Sequence, residues 1–306
     1  MRILDLETLE IFRSVVRQGG VVRAAQALNR VPSNVTTRLK QLEERLGVAL
    51  FRRQGRGLVL TADGERLRGH AERLLQLADE AEQAMRDGAA QGPLRLGSLE
   101  SAAGSRLPAL LSAYHRAQPQ VRVDLQTGTT GALLQRLAAW EVEAAFVSEP
   151  FSAAGCQARP FFDEELVLIT ALGHAPVARP ADLGDFTLIA FAHGCSYRQR
   201  LQEWLGAGQV LPARTLDMSS YPAIIACVAA GTGCAVVPVS VLQSQRAGEL
   251  VQQHALPARY RRNRTHLVWQ GTPSPALAAL IALLDDAKVT PALRPNPRLT
   301  GPGVPR

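Results

Sequence analysis

No stretch of about eighteen uncharged apolar residues occurs in the 306-residue chain, so nothing in it reads as a membrane-spanning helix. The opening residues, MRILDLETLE, are acidic and amphipathic and lack the basic-then-apolar layout of an export signal. The expected location is therefore the cytoplasm, with no membrane partner. Lysine is almost missing, with Lys40 and Lys288 the only two, so arginine carries the positive charge. The four cysteines, Cys156, Cys195, Cys227 and Cys234, form no CxxC pair and no zinc-ligand spacing, so each is expected to be a small buried hydrophobe or a free thiol. No nucleophile elbow is present. His193 and Cys195 stand two apart on an apparent loop with no third group to orient them, so neither an enzyme nor a bound cofactor or metal is expected.

The charge is unevenly placed. Residues 1–66 hold twelve Arg or Lys against seven Asp or Glu, a balance of +5 out of the chain's +7. Residues 289–306 add +3 through Arg294, Arg298 and Arg306, which leaves the long middle near −1. A basic N-terminal domain joined to a near-neutral one implies a polyanionic partner for the first only.

The apolar spacing divides the chain further. Leu6, Leu9, Ile11, Phe12, Val15 and Val16 recur near one helical face, and Gly19-Gly20 ends that helix. VVRAAQAL (21–28) is a second short helix with Ala24, Ala25 and Leu28 inward. Pro32 suits the first turn of a third, which carries Val35, Leu39, Leu42 and Leu46 and stops at Gly47. LFRRQGRGLVLT then reads as two short strands about a glycine turn. Three helices and a basic hairpin, with a close corner built on alanines, form a winged helix-turn-helix. From Ala62 the pattern lengthens: Leu67, Ala71, Leu74, Ala78, Ala81 and Met85 repeat at spacings of 4, 3, 4, 3 and 4, a coiled-coil seam that predicts a dimerising helix over 62–88, with an ordinary amphipathic helix as the other reading of only three heptads. Leu67, Leu74 and Met85 are expected to meet a second copy.

From Leu94 onward apolar strands alternate with helical stretches, which implies mostly parallel sheets covered by helices. The predicted strands are 94–99, 121–126, 144–147, 166–171, 188–191, 234–238 and 265–270. They fall into two clusters, hence two lobes with a cleft between them. The expected organisation is an all-α winged helix-turn-helix (1–61), a linker helix (62–88), a two-lobe α/β domain resembling periplasmic binding proteins (89–288) and a disordered tail (289–306).

The first 66 residues resemble the LysR-type transcriptional regulators. AAQALN, then QLEERLGVALFRR and GLVLTADGERL, follow that family's order of an alanine-rich second helix, a third helix ending in Gln-Leu-Glu-x-x-Leu-Gly, a Leu-Phe and basic wing, and a Leu-Thr-x-x-Gly helix start. The resemblance implies a sequence-specific regulator that binds double-stranded DNA as a homodimer or homotetramer and answers to a small-molecule effector between the lobes. RNA polymerase is a further candidate partner. One departure stands out. The family commonly opens its recognition helix with Ser-Gln-Pro followed by an arginine, whereas here the segment is Val31-Pro32-Ser33-Asn34, with Thr37 at the usual arginine position.

The residues expected to meet DNA are the polar ones off the core face of the third helix, Ser33, Asn34, Thr36, Thr37, Arg38 and Lys40, with Arg52, Arg53 and Arg56 on the wing. Asn34 suits adenine and Arg38 guanine, while the wing arginines suit phosphate or the minor groove. The resemblance places the effector positions at strand ends and helix starts. They fall on Glu100, Ser101, Thr129, Thr130, Ser148, Cys195, Ser196, Tyr197, Arg198 and Ser220, with Tyr221 beside it. Helix N-termini with hydroxyls favour an anion, hence an organic acid, while Glu100 repels one and favours an amino acid or amine. For any one hydroxyl, plain helix capping is an equal reading. Two further readings stay open: Glu100 turned to solvent or paired with Arg198, and a redox-sensing regulator of the same family using Cys195 or Cys234.

Overall fold

Asp5 starts the first helix. Its carboxylate accepts the Thr8 N–H at 2.8 Å and the Thr8 hydroxyl at 2.9 Å, satisfying donors that the helix itself leaves unpaired. In the computed structural model, which describes residues 4–54, 57–84 and 90–286, that helix is α1 (Leu6–Gln18), closed by Gly19 at φ +64°. α2 (Val21–Ala27) and α3 (Pro32–Leu46) follow, the latter with proline at its first position and Gly47 at φ +69° after its last. Leu9, Phe12 and Val15 meet Ala24, Ala25, Val35, Leu39 and Leu42 in one core, and the two alanines allow α2 to lie close against its neighbours. Leu6, expected inward, is instead 46 % exposed.

The wing is the antiparallel pair β1 (Phe51–Gln54) and β2 (Gly57–Leu60). One carboxylate fixes where it begins, because Glu43 accepts the N–H groups of Leu50 at 2.7 Å and Phe51 at 3.1 Å. Thr61 then opens α4 (Ala62–Ala84) by accepting the Gly64 N–H at 3.0 Å. A Cβ at Gly64 would lie 2.2 Å from the Leu50 carbonyl oxygen, so the glycine of the Leu-Thr-x-x-Gly signature is a steric requirement.

The inner face of α4 corrects the expected seam. Leu67, Ala71 and Leu75 are buried in the same core as α1, and the buried Glu72 carboxylate accepts from Arg17 at 3.1 Å. Leu67 therefore has a partner surface within its own unit. Leu74 and Leu77 are the large apolar residues left outside, 41 % and 61 % exposed. Met85, Arg56 and the 289–306 tail lie outside the described residues.

The second unit begins with β3 (Gly92–Ser98), α5 (Glu100–Ser105), α6 (Leu107–Ala117), β4 (Val121–Thr127), α7 (Thr130–Ala138) and β5 (Ala144–Ser148). The long strand β6 (Cys156–Thr170) leaves this first lobe. β7 (Thr187–Phe191), α8 (Ser196–Ala207), β8 (Arg214–Met218), α9 (Tyr221–Ala229), β9 (Ala235–Pro238), α10 (Val239–Ser244), β10 (Gln252–Ala255) and α11 (Ala258–Arg261) build the second. β11 (Arg262–Gln270) returns, and α12 (Pro275–Asp285) completes lobe 1. Two cores result. One gathers Leu94, Leu96, Phe146, Leu267 and Leu280, and the other gathers Leu168, Ile189, Trp204, Ile225 and Val237.

The expectation of mostly parallel sheets fails here. The main sheet runs β10-β6-β11-β5-β3-β4, with β9 also on β6. Its β3–β4 and β3–β5 pairs are parallel, but every pair made by β6 and β11 is antiparallel. A strand that carries the chain out of one lobe must be matched by one that brings it back in the opposite direction. The first half of β6 is largely exposed and polar, so no apolar run announces it, and β8 and β10 go unseen for the same reason. No described helix is long and apolar enough to cross a membrane.

Candidate functional site

The first surface is the outer face of α3. Burying Val35, Leu39 and Leu42 turns Ser33, Asn34, Thr36, Thr37 and Lys40 to solvent, with Arg38 half-buried. Not all of these groups are free. The Thr36 hydroxyl donates to the Pro32 carbonyl at 2.9 Å, leaving its methyl as the outward group. Arg38 and Arg30 both donate to the Glu7 carboxylate, at 3.1 and 2.7 Å, and Arg30 also reaches Asn34 Oδ1 at 3.5 Å. On the wing, Arg52 and Arg53 are exposed and, being neighbours on a strand, point to opposite faces. The arrangement offers short polar groups along one helix, flanked by arginines.

The second site lies between the two lobes of the second unit. Lobe 1 contributes the starts of α5 and α7 and the end of β5, and lobe 2 contributes the starts of α8 and α9. They form a partly open pocket lined by Glu100, Ser101, Thr129, Ser148, Cys195, Ser196 and Tyr197 among the expected residues. Ser101 Oγ and the Tyr197 hydroxyl meet at 3.3 Å across the cleft. Thr129 is also a cap, accepting the Ala132 N–H at 3.3 Å.

Three expected residues are not part of the lining. Thr130 is buried behind it, where its hydroxyl oxygen accepts the Ser148 N–H at 3.2 Å and the Ser196 hydroxyl at 2.9 Å, so it positions rather than touches. Arg198 turns away, donating to Asp217 at 2.5 Å and to the Phe191 carbonyl at 2.9 Å; it does not pair with Glu100. Ser220 sits at the N-cap of α9 without a side-chain cap bond, and of that pair Tyr221 is the one that faces the pocket. Leu99, Gly128 and Phe191 also line it and were missed in the sequence. Phe191 packs on Tyr221 with ring centroids 4.8 Å apart, and the apolar end of a strand gives no sign of which residue will face a cleft.

Burial sets the charges. It is the main cause holding the Tyr197 and Tyr221 hydroxyls well above the ordinary tyrosine range, so both are neutral donors. Burial likewise raises the Cys195 thiol, against a smaller opposite effect of the Arg198 and Tyr197 N–H groups, and pushes Cys234 up to about 12. A redox sensor needs a thiolate, and both thiols are held protonated, which disfavours the redox reading. Glu100 is raised as well, by burial first and with a partial offset from the Tyr221 N–H. No group of three or more metal-ligating side chains is assembled among the described residues.

A second network ties the lobes behind the pocket. Arg106, beside α5, donates to Glu164 on β6 at 2.6 Å, and Ser240 of α10 donates to the other Glu164 oxygen at 2.7 Å, with all three residues buried. Asn263 of β11 donates to Ser148 Oγ at 2.6 Å.

Comparison with known proteins covers both units. Residues 6–65 match the family described as bacterial regulatory helix-turn-helix protein, lysR family, and residues 87–288 match the LysR substrate binding domain. The HTH-type transcriptional regulator GltR of Bacillus subtilis is 33 % identical over 286 residues, covering 92 % of this chain and 97 % of that protein. YofA of Bacillus velezensis is 36 % identical over 266 residues, 86 % of this chain and 90 % of its own. Among solved structures, a full-length OxyR variant from Pseudomonas aeruginosa superposes with a TM-score of 0.73 at 23 % identity, over 94 % of this chain and 96 % of that one. Full-length CbnR complexed with its target DNA gives 0.63 at 22 % identity, over 92 % and 99 %.

Proposed function

The chain belongs to the LysR family of bacterial transcriptional regulators, DNA-binding proteins with an effector-binding domain, and we propose which of its residues do the two jobs. Asn34, Thr37 and Arg38 on α3 read base edges, with Ser33, Thr36 and Lys40 beside them. Arg52 and Arg53 hold the phosphate backbone, with Arg56 extending the wing. The effector sits between the lobes on Ser101, Thr129, Ser148, Ser196 and Tyr197. The protein works in the cytoplasm as a homo-oligomer, joined through the exposed side of α4.

One observation carries the sensor half of this reading. Hydroxyl groups from four separate elements converge on a single pocket, and Ser101 and Tyr197 touch each other from opposite lobes. A ligand there competes with the contacts that hold the lobes together, so its binding energy is spent on their relative position.

Duplex binding tests the DNA half. By fluorescence anisotropy, Arg53→Ala is expected to weaken binding to every duplex and flatten the dependence on salt, because a phosphate contact releases counterions. Asn34→Ala is expected to relax preference at one base pair while leaving that slope alone. An unchanged sequence preference in Asn34→Ala would remove α3 from the reading role.

A further inference from the structure

Among the described residues lining the pocket, Glu100 is the one with a carboxyl side chain. Its Oε1 accepts the Tyr221 N–H at 3.4 Å, a long bond, and its Oε2 is buried with no hydrogen-bond partner. A buried carboxylate oxygen left unpaired is costly, and the burial that raises its pKa is that same cost. The nearby arginines do not offset it: Arg198 is held by Asp217, and Arg106 by Glu164.

Two of the helix starts that favour an anion in the sequence, those of α7 and α9, are already engaged within the protein. At α7, the Gly131 N–H donates to the Gly194 carbonyl at 3.2 Å and the Ala132 N–H to Thr129 Oγ1 at 3.3 Å. At α9 the Tyr221 N–H is on Glu100 itself, whereas Cys195 at the N-cap of α8 makes no side-chain cap bond. A purely anionic ligand at α7 or α9 would find these donors occupied, with the Glu100 carboxyl in the same pocket.

We propose that the cleft selects a small ligand carrying a protonated nitrogen, a primary amine or an amino acid, whose ammonium group is seated on Glu100 Oε2. One ammonium has three N–H donors, enough for the unpaired oxygen and for the Ser101 and Tyr197 hydroxyl oxygens that share its pocket. The Phe191 and Tyr221 rings give the cation a polarisable wall. The inference rests on the cleft being the effector site.

The test is a thermal-shift and calorimetry panel on the full-length chain with propylammonium, L-alanine, L-lysine and propionate as probes. Wild type is expected to be stabilised by at least one ammonium-bearing probe and not by propionate. Glu100→Gln, which keeps the size and the Tyr221 contact, is expected to bind that probe roughly tenfold to hundredfold more weakly, the usual effect of losing a charge-assisted hydrogen bond. Propylammonium alone succeeding assigns an amine, and L-alanine or L-lysine alone an amino acid; either supports the proposal. Stabilisation by propionate only, by no ammonium probe, or equally in Glu100→Gln overturns it. Ser101→Ala separates the two levels. Propionate binding that weakens in Ser101→Ala keeps the cleft and discards the cation, whereas binding indifferent to both variants discards the cleft as well.

Discussion

Gly131 and Gly194 meet backbone to backbone across the cleft. The Gly131 N–H donates to the Gly194 carbonyl at 3.2 Å, joining the start of α7 in lobe 1 to the loop before α8 in lobe 2. The two glycines are not equivalent. Gly194 lies at φ +88°, and a Cβ there would stand 3.1 Å from Thr129 Oγ1, whereas a Cβ on Gly131 makes an ordinary 3.5 Å contact with the Gly194 Cα. Gly194→Ala is therefore expected to cost about 1–2 kcal/mol from the left-handed backbone alone, and Gly131→Ala close to nothing. Denaturant titration of the two variants checks the contrast. Equal losses would mean that the backbone conformation at Gly194 is not what the site requires.

The outer side of α4 gives a second expectation. Leu74→Glu with Leu77→Glu should yield a monomer that keeps its helical content, because both residues face outward. Leu67→Glu should instead unfold the N-terminal unit, since that position is buried beside α1. Light scattering and circular dichroism separate the outcomes, and a dimer surviving the double substitution would move the association surface elsewhere.

Glu7 holds Arg30 and Arg38 on the surface that would face DNA. Exposed ion pairs of this kind contribute about 0.2–1 kcal/mol, so releasing both arginines is a modest gain. Glu7→Gln is expected to tighten duplex binding by up to about fivefold at low salt, with a steeper loss as salt rises. Identical affinity at low salt would show that neither arginine approaches the phosphates.

The buried Arg106–Glu164 pair leads to an asymmetric prediction. Removing one partner by Glu164→Ala deletes the buried carboxylate to which Arg106 and Ser240 both donate and is expected to cost about 3–5 kcal/mol. Replacing both, as Arg106→Met with Glu164→Leu, should recover most of that, because the desolvation cost disappears with the charges. Chemical denaturation of the single and double variants decides it. A double variant no better than the single would place the cost in lost packing around Ser240.

The N-terminal unit was legible because its signals are local. Gly19, Pro32 and Gly47 each mark a helix boundary through their own backbone chemistry, and every one holds. The cleft was legible to the level of junctions but not of side chains. Thr129 and Thr130 are neighbours of the same type at one helix start, and only the packing of β5 decides that the first lines the pocket while the second braces Ser148. Arg198 falls at a correct junction, yet Asp217, nineteen residues away on β8, draws it aside. A strand with mostly exposed side chains leaves no period to read, so the partner of Arg198 was hidden with the strand that carries it.

The route of β6 and β11 also sets an order of assembly. The lobe 2 core is drawn from one continuous stretch, Leu166 to Tyr260, whereas the lobe 1 core joins Leu94–Phe162 to Leu267–Leu284. During synthesis the helix-turn-helix unit and then lobe 2 have all their parts before lobe 1 does. Until β11 and α12 emerge, the core around Leu94, Leu96 and Phe146 lacks Leu267, Leu277 and Leu280, and such long-range closures are the slow ones. The pocket, which needs both lobes, is the last feature the chain acquires. A molecule interrupted before Leu267 would retain its DNA-binding half and have no means of sensing anything.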